Sequence, residues 1–131
     1  MNQSPKLLMV YNADGGMVNA VLHGVHKVLR PSTYPCSLCA LTYGLVSMRS
    51  EWRRFLDGLG VEPVFHHSDD FAAAYPSVSP ALPAILLQQV GGEPEVLIAA
   101  AQMDELPSLG ALKVLVTQRL AQELGSRILP A

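Results

Sequence analysis

The stretch AILLQQVGGEPEVLIAA, residues 84–100, constrains the fold more than any other. Two apolar runs flank a polar turn holding Gly91 and Gly92, a pattern that predicts two strands joined as a β-hairpin. A third apolar run, KLLMVYN at 6–12, stops at the turn-forming ADGG and predicts a buried strand. VEPVFHH, residues 61–67, predicts another. Between and after these strands the spacing changes to three and four. Met17, Val18, Val21, Leu22, Val25, Val28 and Leu29 predict a helix ended by Pro31, with Asn19, His23, His26 and Arg30 on its opposite stripe. Leu41, Leu45, Met48, Trp52, Phe55, Leu56 and Leu59 predict a second helix, with a break near Gly44 or a restart capped by Ser50 as its variants. Gly58 and Gly60 close it. The connection DDFAAAYPSVSPALP has room for one helical turn. A last helix starts at a Ser108 cap, buries Leu109, Leu112, Leu115, Val116, Leu120 and Leu124, and ends at Gly125.

A chain of 131 residues, half of them apolar, suits one α/β domain over residues 1–131 with its own core. No internal repeat, low-complexity tract or linker divides it. Nine basic residues against 11 acidic, with no basic run interleaved with aromatics, argue against a nucleic-acid partner. The N-terminal apolar run is too short for a signal segment or a membrane span, so no membrane partner is expected and the chain reads as cytoplasmic. Oligomeric state leaves no mark in the sequence.

In a reducing compartment, the only two cysteines, Cys36 and Cys39 of YPCSLC, would rarely serve as a permanent staple. Three readings stay open. The pair can be redox-active, since a thiolate attacks a disulfide and a second cysteine resolves the product. It can be half of a zinc or iron site, with His23 and His26 one helical turn apart as further ligands, or one of His66 and His67. It can also be two packed side chains. Strand alternation sends His66 and His67 to opposite faces, so only one of them would serve a metal. Asp69 and Asp70 read as a solvated loop, and Trp52 and Phe55 as core. The NADGG turn could hold an anion at a helix start, but no G-x-x-x-x-G-K-[ST] exists in the chain.

The succession of strands and helices resembles the thioredoxin-like superfamily, on three grounds. These are KLLMVYNADGG as first strand and turn, ALPAILLQQ with Pro83 just before a strand, and the closing hairpin and helix. The resemblance implies a central four-stranded mixed sheet with helices packed on it, and a cis-proline at Pro83. VYNADGG and YPCSLC are similar to pieces of the DCC-type thiol-disulfide oxidoreductases, whose motif joins an aspartate-glycine turn to a Cys-x-x-Cys. The longer pattern from VYNADGG to YPCSLCALTYG is also similar to a small bacterial family often labelled "GTPase", a label that no P-loop here supports.

One departure is physical. Thioredoxins carry Cys-x-x-Cys at the start of the first helix, where this chain has Asp14-Gly15-Gly16-Met17. The cysteines come about twenty residues later. If the strand at 61–67 runs parallel to the first, the short turn at Gly58–Gly60 makes the second helix begin at the opposite sheet end, beside Asp14 and Pro83. Cys39 is then expected near a helix N-terminus that favours a thiolate. Cys36 is expected to attack, as the first cysteine does in most such motifs. The resulting expectation is a thiol-disulfide redox protein with no cofactor, acting on a protein or small-molecule thiol or disulfide. Cys36, Cys39, Asp14 and Pro83 would form its site. The alternative is a non-catalytic metal-binding or interaction module, with zinc or iron on Cys36, Cys39, His23 and His26.

Overall fold

The structure is a computed structural model that describes residues 4–12, 36–43 and 48–124. The first predicted helix, with His23 and His26, and the turn with Asp14 lie outside the described residues. The architecture is α/β, one four-stranded mixed sheet with helices packed on it. Its strands are β1 (Lys6–Val10), β2 (Glu62–His66), β3 (Ala84–Gln88) and β4 (Glu95–Ile98), in the order β2-β1-β3-β4. β1 runs parallel to β2 and antiparallel to β3, which pairs antiparallel with β4.

Leu7, Leu8, Met9 and Val10 are all fully buried, as a central strand covered on both faces requires. Burying each such side chain stabilises the fold by roughly 1.5–3 kcal/mol. Pro63, which lacks a ladder donor, is tolerated because β2 is an edge strand. The hairpin turns through a Gly92 N–H bond to the Gln89 carbonyl (2.9 Å), and Gly91 adopts φ 81°, a conformation that favours glycine.

Five helices lie among the described residues: α1 (Ser37–Thr42), α2 (Ser50–Asp57), α3 (Ser68–Ala74), α4 (Ala100–Asp104) and α5 (Leu109–Leu124). None is long and apolar enough to cross a membrane. Alternation along the strands divides the core in two. On one face Leu7, Met9, Tyr11, Ile85 and Leu87 meet Trp52 and Leu56 of α2, Met103 of α4, and Leu112, Val116 and Leu120 of α5. On the other, Leu8, Val10, Ala84 and Leu86 pack with Phe71 of α3.

The predicted second helix is two helices. An isolated antiparallel bridge pairs Tyr43 with Met48, and the Arg49 N–H is bonded to the Thr42 carbonyl at 2.7 Å. Arg49 holds the cap position of α2 with no side-chain cap bond, and Ser50 is the first helical residue rather than the cap. The connection after β2 holds seven helical residues, more than the single turn expected, anchored by Phe71. Ser108 caps α5 as expected, its hydroxyl accepting the Ala111 N–H at 3.1 Å.

Candidate functional site

Register decides which residues meet at the end of the sheet. Val10 of β1 pairs with His66 on one side and Ala84 on the other. The residues just beyond, namely Tyr11 and Asn12, His67, and Pro83, therefore share one sheet end. The Leu82–Pro83 peptide is cis there. The Tyr11 N–H donates to the His66 carbonyl at 3.0 Å, which extends the parallel pairing by one step.

The cysteine pair joins this end through the backbone of Asn12, whose N–H donates to Cys36 Sγ at 3.4 Å. Cys36 is the cap residue of α1: its carbonyl accepts the Ala40 N–H, and its sulfur accepts the Cys39 N–H at 3.2 Å. The expectation of a cysteine at a helix start holds, with the roles exchanged. Cys36, not Cys39, receives the N–H groups, because Cys39 is the third helical residue and supplies one of them. The sulfurs lie at disulfide-bonding distance, with Cα atoms 5.2 Å apart, inside the usual range for a disulfide. Their surroundings differ. Cys36 is fully buried in the cluster with Tyr11, Leu38 and Trp52, while Cys39 is partly exposed.

The helix that presents the pair is fixed from below. Leu38 and Thr42 are fully buried, and the Thr42 hydroxyl donates to the Leu38 carbonyl at 2.7 Å. Tyr11 meets Tyr43 edge-on, ring centroids 5.4 Å apart, and tethers the end of α1 to the end of β1. Burial, followed by the neighbouring Tyr43, pushes the Tyr11 phenol far above its ordinary pKa, so it stays protonated.

A second polar cluster lies at the same sheet end. His66 Nδ1 is 2.6 Å from Asp70 Oδ1, and His67 Nδ1 is 3.1 Å from Asp70 Oδ2. The His67 N–H also donates to Asp70 Oδ2 at 2.9 Å. The expectation that the two histidines diverge is corrected: β2 ends at His66, and His67 turns out of the strand as the cap of α3. Asp69 and Asp70 are likewise the first turn of a helix rather than a loop. Burial acts to raise the Asp70 carboxyl, but the His67 N–H and the two imidazoles outweigh it and hold the carboxyl below its usual range. His66 packs edge-on to Phe71 and Tyr75, on the face opposite the cysteines.

Zinc or iron would take both cysteine sulfurs as thiolates, which a disulfide does not offer. Among the described residues no three of His, Cys, Asp and Glu gather where they could hold a metal. The ligands expected from the first helix, His23 and His26, lie outside the described residues, as does Asp14.

Compared with protein-family models, curated proteins and solved structures, the chain gives no match. Its own geometry carries the functional reading. The structure brings together Cys36, Cys39 and the sheet end of Pro83. Sequence reasoning missed Asn12 as the backbone donor to Cys36. The signal was its position, two residues past the last residue of β1.

Proposed function

We propose that the chain is a thiol-disulfide redox protein, a single thioredoxin-like domain akin to the DCC-type oxidoreductases, in which Cys36 and Cys39 cycle between disulfide and dithiol. Its partner is a protein or small-molecule thiol or disulfide in a reducing, cytoplasmic setting. The observation that carries this reading is the pair itself. Two cysteines three residues apart with sulfurs at bonding distance, one of the two residues partly exposed, sit at the sheet end that also holds the cis Leu82–Pro83 peptide. The strand order β2-β1-β3-β4, with β3 antiparallel to β1, supports the thioredoxin-like part of the proposal. A thiol or disulfide substrate needs no cofactor, because the electron pair passes between sulfurs. Asp14, outside the described residues, stands as a candidate for proton transfer, and Pro83 for shaping the substrate site.

The test is a thiol count on anaerobically purified protein, with metal analysis of the same sample and of a Cys36→Ser, Cys39→Ser variant. Two reactive thiols that convert reversibly to a disulfide support the proposal. Protected thiols with one equivalent of zinc or iron, lost in the variant, would reject it in favour of a metal-binding module on Cys36, Cys39, His23 and His26.

A further inference from the structure

We infer that Cys39, not Cys36, is the sulfur that exchanges with substrate, and that Cys36 is the buried partner released and recaptured as a thiolate. The inference rests on the redox reading above and reverses the usual order for a Cys-x-x-Cys pair. It stands on two independent observations.

The first is access. Exchange at a disulfide is an in-line displacement: the incoming sulfur approaches on the side of the attacked sulfur that faces away from the bond being broken. Cys36 is fully buried among Tyr11, Leu38 and Trp52 and leaves no such approach. Cys39 is partly exposed.

The second is charge. Cys36 Sγ accepts two backbone N–H groups from separate segments, Asn12 at 3.4 Å and Cys39 at 3.2 Å. Such bonds are weak to a neutral disulfide sulfur and strengthen when the acceptor becomes an anion. They therefore favour Cys36 as a leaving group, since a thiol of lower pKa leaves faster. A buried thiolate without these donors would carry the full penalty of desolvation.

When the protein acts as oxidant, a substrate thiolate attacks Cys39 Sγ. The Cys36–Cys39 bond breaks, its electron pair stays on Cys36 as thiolate, and substrate and Cys39 share a mixed disulfide. A second substrate thiolate then attacks the substrate sulfur and displaces Cys39 as thiolate, which takes a proton from water; the substrate is oxidised by two electrons and the pair reduced. In the reducing direction the Cys39 thiolate, its proton lost to solvent, attacks a substrate disulfide and expels one substrate thiolate. Cys36 thiolate then attacks Cys39 Sγ and releases the other.

The test needs no variant at first. The reduced wild-type protein is treated with limiting iodoacetamide at pH 7, and the labelled peptides are weighed. Label on Cys39 at about tenfold or more over Cys36 is expected, as access gates reaction of a thiolate; label first on Cys36, or equally on both, overturns the inference. A second arm uses oxidised glutathione on single variants. Cys36→Ser, which keeps a cap oxygen for α1, should form a lasting mixed disulfide at Cys39 at least about tenfold faster than Cys39→Ser forms one at Cys36. The reverse ranking overturns it. Failure of the redox reading shows separately, as wild-type protein that never returns from dithiol to disulfide, whichever cysteine is labelled first.

Discussion

Reducing the Cys36–Cys39 bond should loosen the protein modestly and leave it folded. The bond closes a ring of only four residues, Cys36 to Cys39. Chain-entropy arguments give such a ring roughly 6 cal/mol/K, or about 2 kcal/mol at 25 °C. The local packing of α1 persists, because Leu38 and Thr42 stay buried and Cys36 Sγ keeps its donors as a thiol or thiolate. For 131 residues an unfolding entropy near 2.1 cal/mol/K per residue sums to about 275 cal/mol/K, so about 2 kcal/mol moves Tm by about 7 °C. Thermal melts by circular dichroism at pH 7, with and without dithiothreitol, read this directly. A fall of about 7 °C with unchanged cooperativity is expected. A Tm that is unchanged or higher on reduction would refute the chain-entropy argument. A fall beyond about 15 °C, or loss of the cooperative melt, would make the bond a structural staple and refute the claim that the dithiol form stands on its own.

Other perturbations follow from the packing and the charges. Asp70 is held below its ordinary pKa in the fold, so it contributes stability above the unfolded value near 4 and loses it as pH falls through the lower folded value. Asp70→Asn should therefore cost less than about 1 kcal/mol at pH 7, given its half-exposed side chain, and flatten the acid limb of a urea-midpoint series between pH 5 and pH 3; an unchanged limb would rule out this carboxylate. Ser108→Ala should cost about 1 kcal/mol through loss of the α5 cap, and Ser108→Asp should largely restore it, both read by urea unfolding. Trp52→Ala should cost about 3–5 kcal/mol, since the ring is fully buried and stacks on Phe55, whereas the neighbouring Arg53→Ala, with its exposed pair to Asp57, should stay within about 1 kcal/mol. Equal effects at the two positions would contradict the orientation of α2.

What the sequence disclosed, it disclosed through repeated pattern. The hairpin at 84–100, the strands at 6–12 and 61–67 and the Ser108-capped helix each carry several residues at one period, and each is present. Helix α4 has one buried anchor, Met103, in a run of small and polar residues, so no periodicity announces it. The length of α3 was hidden because Pro76, Pro80 and Pro83 made its connection look irregular. At the site, the spacing of Cys36 and Cys39 was plain, and the short turn before β2 pointed to the end of β1 where the Asn12 N–H meets Cys36 Sγ. Which sulfur is buried was not legible, since that depends on Tyr11 and Trp52, distant in sequence, packing in the same cluster as Cys36. The convergence of His66 and His67 on Asp70 was lost for a related reason. Alternation applies only inside a strand, and tertiary structure decides where the strand stops.

The central claim is that the cysteine pair is a reversible redox couple. Its most direct test is an equilibrium titration of the wild-type protein across a series of reduced and oxidised dithiothreitol and glutathione buffers, with free thiols counted by mass after alkylation under quenching acid. The account predicts one two-electron transition between zero and two free thiols per chain, identical when approached from the oxidised and the reduced side. Thiols that stay at two, or at zero, across the whole series while the protein remains folded would contradict it.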